Sequence, residues 1–407
     1  MHRPATPLSG AAVRARGCLT LLAALALLAG CATSAITRTD LYRSYYDEPL
    51  RPSDASASIA YEKKGATHVF LLSGEAYAMG FSYGTACRGL GIEDLYREVF
   101  ANATRLLADE VPVEYRDRLD VPTVKWLLED AWKLMEPQVP GYAVELLRGF
   151  ADGSGIPFED VCAMHAIPDF TETSCSALWA TGTAVADGSS LQVRVLDYIM
   201  GLGIQEQPAV VFLRFPSGHT VANIGWLGLL GVISGMNDAG LAVSEMGYGN
   251  PQGENLHGIP MPFLLLDILR FCEDSAEAAG IIKSRPRTNS YAYIVGTATR
   301  GAMAFTTNPY EVLLFRPGQE DAPVPQFPDS LHAGHYQERM TELLGESLGD
   351  VSIRWLQEEY LPAIAMDSNL QCVIYDLAGM RFLVANAPDT EARAADQPYL
   401  EFRFPER

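Results

Sequence analysis

The chemistry-bearing residues of this chain concentrate around Cys175. Thr173-Ser174-Cys175-Ser176-Ala177-Leu178 is followed by Asp187-Gly188 and then by Arg194-Val-Leu-Asp197-Tyr198. Asp-Gly between two apolar runs is a turn signal, so the segment reads as a hairpin. Its first strand opens at Cys175 and its second ends in Arg194 and Asp197, which antiparallel pairing brings alongside the cysteine. A free thiol, with a pKa of about 8.5, is a weak nucleophile near neutrality, and a neighbouring arginine favours the thiolate. A chain cut before Cys175 would present a new α-amine, of pKa about 7.7–8.0, able to act as base, with Asp197 holding it. The plainer alternative is a strand-end cysteine beside an Arg194–Asp197 surface ion pair.

The elements that must position these residues divide at Cys175. From Ala60 to Ser174 the pattern is mostly helical, with apolar residues three and four apart in Ile92–Ala108, Val124–Met135 and Tyr142–Ala151. After Cys175 come short apolar runs: Ser176–Val185, Leu191–Asp197, Ala209–Phe215, Thr220–Trp226 and Gly231–Met246. Asp187-Gly188, Pro216-Ser-Gly218 and Asn237-Asp-Ala-Gly240 punctuate them, as expected of antiparallel hairpins. Helix is expected over Met261–Cys272, Ser275–Ser284, Tyr336–Leu348 and Val351–Ala365, and strand over Tyr291–Phe315 and Leu370–Ala385. Strand pairs alternating with helix pairs predict an α+β fold, antiparallel sheets covered by helices.

Composition excludes several classes. The 407 residues are 48% apolar and 20% charged, which excludes a disordered chain and a multi-span membrane protein. Thirty Lys and Arg against fifty Asp and Glu give a net charge of −20, and no basic stripe is present, which argues against nucleic-acid partners. Seven cysteines without a CxxC pair predict neither a disulfide scaffold nor a zinc site. No phosphate-binding glycine loop occurs, and no metal or cofactor is expected.

The amino terminus reads as an address. Arg3, Arg14 and Arg16 precede an apolar run from Cys18 to Gly30, too short for a spanning helix. The run ends in Leu28-Ala29-Gly30-Cys31, which resembles the bacterial lipobox, with Cys31 the lipidated first residue of the mature protein. Ala32 in place of Asp implies the outer membrane, so the expected location is the cell envelope, on its periplasmic face. Residues 31–60 read as a tether and 61–407 as a single domain. Removing residues 1–30 takes away three arginines and no acids, leaving −23. In an oxidising compartment Cys87, Cys162, Cys272 and Cys372 either pair or stay as buried free thiols.

Five blocks in order resemble the acyl-coenzyme A:6-aminopenicillanate acyltransferase family (peptidase family C45), among the N-terminal nucleophile hydrolases. They are Tyr77-Ala-Met-Gly80-Phe-Ser-Tyr-Gly84 and Leu146–Val161; the run from Cys175 to Tyr198; Gly235-Met-Asn237-Asp-Ala-Gly240-Leu241; and Asn369–Asp376. The resemblance implies a four-layer αββα sandwich and self-cleavage between Ser174 and Cys175. The products would be an α chain ending at Ser174 and a β chain, 175–407, with Cys175 as its terminal nucleophile. Arg194 and Asp197 match the family's R-x-x-D positions. Asn237 matches its "MN" position, an oxyanion donor or substrate contact; a hairpin-turn asparagine is the other reading of that residue. Two departures stand out. Ser174 replaces the common glycine, and Leu331-His-Ala-Gly334-His-Tyr336 has Gly334 where the family carries an oxyanion asparagine, with Asn308 a possible substitute.

The resemblance implies an amidohydrolase or acyltransferase acting on small N-acyl amides or short peptides through a thioester. A lapsed, substrate-binding lipoprotein and a thiol peptidase using His165 are the alternatives. His165 reads better as a core histidine, and His332 and His335 as solvated residues at a helix start rather than metal ligands.

Overall fold

In the computed structural model, residues 57–406 are described, apart from 117, 170–173, 248–254, 320–321 and 323–325. The lipobox with Cys31 and most of the expected tether lie outside the described residues. Strands β1 (Ser58–Lys64) and β2 (Thr67–Ser73) open the described chain as a hairpin turning at Gly65, whose φ is +59°. The first strand thus starts inside the stretch read as tether and in a region read as helical. β1 is exposed along its whole length, so no period-2 pattern marks it, while β2 is apolar on both faces because it lies parallel to an interior strand.

Five longer helices follow, with a single turn at Val113–Arg116 between the second and third: α1 (Ala76–Arg88), α2 (Ile92–Glu110), α3 (Val121–Met135), α4 (Gly141–Ser154) and α5 (Phe158–Ala166). Asp120 starts α3 by accepting from the Thr123 amide at 2.9 Å, and Gly155 ends α4 in the left-handed conformation at φ +80°. α1 and α4 cross with their backbones in contact. A Cβ at Gly80, Gly84, Gly149 or Gly153 would stand 2.0–2.3 Å from a carbonyl oxygen of the facing helix. This accounts for the glycine spacing of the first two resemblance blocks.

The strand-rich half follows the expected order. β3 (Ser176–Thr181), β4 (Ser190–Asp197), β5 (Pro208–Arg214), β6 (Val221–Trp226), β7 (Ser234–Asn237) and β8 (Ala242–Gly247) precede helices α6 (Met261–Phe271) and α7 (Ser275–Ser284). The Tyr291–Phe315 stretch resolves into β9 (Tyr291–Gly296), β10 (Ala302–Thr307) and β11 (Val312–Phe315). Then come β12 (Ser330–Gly334), α8 (Gln337–Ser347) and α9, built of consecutive helical pieces Ile353–Trp355, Leu356–Tyr360 and Leu361–Ile364. β13 (Asn369–Asp376), β14 (Arg381–Asn386) and β15 (Leu400–Arg403) close the chain.

Among the described residues these strands make two sheets, β1-β2-β5-β6-β7-β8-β9-β10-β11 and β12-β3-β4-β13-β14-β15, antiparallel throughout except for β2 beside β5. One core fills the space between α1–α7 and the outer face of the nine-stranded sheet. A second fills the space between the two sheets and extends to α8 and α9. The layers are helix, sheet, sheet, helix: the αββα sandwich expected. Both sides of the Ser174–Cys175 bond contribute to it, since β2 pairs with β5 over six residues. Among the described residues no helix is long and apolar enough to cross a membrane.

Candidate active site

Cys175 immediately precedes β3, an interior strand of the six-stranded sheet. On one side β12 runs antiparallel, pairing Gly334 with Ser176, and the His335 amide donates to the Cys175 carbonyl at 3.2 Å. On the other side β4 pairs Ser176 with Val195 and Ala177 with Arg194. Residues facing each other across the ladder share a face, so the Cys175 and Arg194 side chains emerge on the same one. Arg194 Nη2 lies 3.7 Å from Cys175 Sγ, and both residues are buried, 1% and 2% exposed. The cysteine beside a surface ion pair is therefore not what forms: Arg194 is interior.

The same Nη2 donates to Glu245 Oε2 at 2.8 Å, with Glu245 2% exposed. Burial works against the guanidinium, but the charges of Cys175 and Glu245 outweigh it and hold the Arg194 pKa above its ordinary value. Burial pushes the Glu245 carboxyl up, opposed by Arg194. A cation at this distance favours the thiolate. Sequence reading missed Glu245. Its signal is an acid inside the apolar strand Ala242-Val-Ser-Glu245-Met, because a buried acid requires a cationic or hydrogen-bonding partner.

Asp197 ends β4, and the β3–β4 register, continued past Ser176, runs it alongside the Ser174–Cys175 bond. It is 2% exposed; Oδ1 accepts from the Met366 amide at 3.2 Å and from Asn369 Nδ2 at 3.0 Å. A β-bulge between Asn369 and Gln371 aims Asn369 at this carboxylate. Oδ2 has no hydrogen-bond partner among the described residues. Burial raises the Asp197 pKa to about 7, against the two hydrogen bonds. A charge arriving within reach, such as an α-ammonium, would restore the carboxylate.

Asn237 does not join the site. Its Nδ2 donates to the Leu269 and Cys272 carbonyls, both at 2.8 Å, and its Oδ1 accepts from the Ala239 and Leu241 amides. It faces α6, on the side of the nine-stranded sheet away from Cys175, with its hydrogen-bonding capacity fully used. The oxyanion assignment is corrected, and the hairpin-turn reading holds.

The departure at Gly334 has a steric cause. Its φ is +154°, and a Cβ there would lie 2.3 Å from Ser176 Oγ, so the approach of β12 to the nucleophile strand admits glycine. Asn308 does not substitute. Its Oδ1 accepts from the Tyr310 and Glu311 amides, both at 2.8 Å, in the β10–β11 turn. His332 is also corrected. It lies on strand β12, 1% exposed, with Nε2 3.0 Å from Thr341 Oγ1, rather than solvated at a helix start. His165 is a core histidine: Nδ1 donates to Val161 O at 2.8 Å and Nε2 accepts from the Leu230 amide at 2.9 Å. Cys87, Cys162, Cys272 and Cys372 are buried free thiols.

A cavity opens beside Arg194, between α2, the β6–β7 connection and the end of β4. Leu95, Tyr96 and Val99 of α2 and Leu227, Leu229 and Ile233 of the β6–β7 connection form walls. Among the described lining residues the charged ones are Arg194 and Glu245, so the apolar cavity meets the guanidinium that touches the thiol.

No protein-family model matches the chain. It is 26% identical over 278 residues to protein dcd1A of Dictyostelium discoideum, covering 64% of this chain and 62% of that protein. It is 26% identical over 228 residues to protein dcd1B of the same organism, covering 53% of this chain and 45% of that protein. The chain therefore spans less than two thirds of the length of these curated relatives. Among solved structures it is similar to a Caenorhabditis elegans ortholog of N-acylethanolamine-hydrolyzing acid amidase, with TM-score 0.38 and 14% identity, over 57% of this chain and 100% of that one. It is similar also to conjugated bile acid hydrolase from Clostridium perfringens, with TM-score 0.37 and 11% identity, over 57% of this chain and 97% of that one.

Proposed function

We propose that the protein is a self-cleaving amidohydrolase or acyltransferase of the N-terminal nucleophile kind, with Cys175 as nucleophile. The observation that carries this reading is the buried Cys175–Arg194–Glu245 cluster at the mouth of β3, met by an apolar cavity. In the precursor, the Cys175 sulfur adds to the Ser174 carbonyl carbon. The Ser174–Cys175 C–N bond breaks, and the thiol proton ends on the departing nitrogen. Water then hydrolyses the thioester, leaving a Ser174 carboxylate and a free Cys175 with its α-amine. In the mature form that amine accepts the thiol proton, and Asp197 holds the resulting ammonium. The sulfur attacks a substrate amide, the ammonium returns its proton to the leaving amine, and the acyl thioester passes its acyl group to water or to an acceptor amine.

The preferred substrates are small N-acyl amides or peptides whose acyl part is apolar, since the cavity offers it an apolar wall and places charge at the reacting end. The chain acts without a cofactor, anchored through lipidated Cys31 to the envelope membrane, with no nucleic-acid partner. The test is hydrolysis of an acyl series from acetyl to palmitoyl on one chromogenic amine, with mass detection of the acyl group on Cys175. Turnover that rises with acyl length and an adduct on Cys175 support the reading; failure to form any adduct contradicts it.

A second reading, a lapsed enzyme retained as a binding module, is favoured by Gly334, which takes the place of an oxyanion side chain. Binding of the same amides without adduct formation would select it.

A further inference from the structure

One buried acid has no part in the chemistry above. Asp169 ends a short helical turn, Ile167–Asp169, five residues before Ser174, and is 3% exposed. Its Oδ1 accepts from the Met261 amide at 3.3 Å, from Thr288 Oγ1 at 2.5 Å and from the Tyr291 hydroxyl at 3.4 Å. Its backbone carbonyl accepts from Asn289 Nδ2. All four partners lie beyond the predicted cut. Met261 is the first residue of α6, whose cap position, Pro260, offers no side-chain acceptor, so Asp169 supplies from a distance the acceptor that helix lacks. Burying a carboxyl is costly, and its pKa is pushed up to about 7. The chain bears that cost directly upstream of the bond it is proposed to cut.

We infer that Asp169 is a positioning residue for self-cleavage, bolting the segment before the Ser174–Cys175 bond to α6 and the β9 entry so that the Ser174 carbonyl is held against the thiol. The inference rests on the self-cleavage reading. Four residues, 170–173, separate the bolt from Ser174, and five residues span at most about 18 Å when fully extended. Release of the bolt frees the carbonyl to leave attack geometry, where a displacement of about 1 Å costs roughly a hundredfold in rate.

The test follows uncut chain over time in pulse-labelled cell-free translation, for wild type, Asp169→Ala, Asp169→Asn and Phe382→Leu. Phe382 is a fully buried core residue of β14, remote from the bolt, and controls for destabilisation alone. Melting temperatures are measured in parallel on uncuttable Cys175→Ala chains. Asp169→Ala is expected to lengthen the cleavage half-time roughly tenfold or more; Asn, which keeps the acceptor, restores it to within about threefold of wild type. Phe382→Leu lowers the melting temperature but leaves the half-time near that of wild type. Alanine cutting at the wild-type rate, slowing no more than Phe382→Leu does, or matched by an equally slow Asn, overturns the bolt. A wild type that stays uncut sinks the self-cleavage reading itself, and the bolt with it.

Discussion

One guanidinium nitrogen of Arg194 serves two partners at once, Glu245 Oε2 at 2.8 Å and Cys175 Sγ at 3.7 Å. Glu245 anchors the cation from the nine-stranded sheet, and the thiol meets it from the six-stranded one. Glu245→Leu alone strands a buried charge and should cost about 3–5 kcal/mol in urea unfolding of the Cys175→Ala chain. Arg194→Met combined with Glu245→Leu should recover most of that stability, yet leave acyl-adduct formation on Cys175 abolished. Recovery of both would show that the pair is architectural.

The α1–α4 crossing predicts opposite signs for glycine replacements. Gly84→Ala forces a Cβ against the Phe150 carbonyl and should destabilise by about 3 kcal/mol or more. Gly280→Ala in α7, with open space at the Cβ position, should stabilise by about 0.5–1 kcal/mol. Denaturant midpoints of the two variants check both.

His165 makes folding acid-sensitive. Burial lowers its pKa from 6.5 to about 4, so its contribution to stability is present above pH 6.5 and is lost as pH falls towards 4. Across that window one differential proton changes stability by about 1.4 kcal/mol per pH unit. Asp169 and Asp197, raised to about 7, act in the opposite direction: their contribution is present below about pH 4 and is lost as pH rises through 7. Comparing His165→Gln with wild type cancels the carboxyls. The difference in unfolding free energy between pH 4.5 and 6.5 should show the histidine's slope, and parallel curves would contradict its buried, neutral state.

Filling the cavity should discriminate among substrates. Val99→Trp places an indole on the α2 wall, and should lower kcat/KM for palmitoyl amides about tenfold or more while acetyl amides lose little. Equal losses for both would remove the cavity from acyl recognition.

The nucleophile hairpin was legible because its turn, its apolar runs and its charged end are all local in sequence, and β3 and β4 form where Ser176–Val185 and Leu191–Asp197 predicted strand. What escaped depends on distant partners. Glu245 gains meaning only when β8 meets Arg194 across the sandwich, and Asp169 only when α6 docks beside it. β12 escaped because Ser330–Gly334 carries no alternation and becomes a strand by lying against β3, which is also why His332 is buried. Asn237 was misplaced for a related reason. Motif position located the residue, but the period-2 alternation of β7 turns its side chain towards α6.

The central claim is that the chain cuts itself before Cys175. It is tested by the intact mass, after denaturation, of protein lacking residues 1–31, measured beside Cys175→Ala. The account predicts two pieces from the wild type, the larger beginning at Cys175 with a mass of about 25 kDa, its share of the chain's 44.3 kDa, and a single chain from the variant. A single uncut chain in both samples would contradict it.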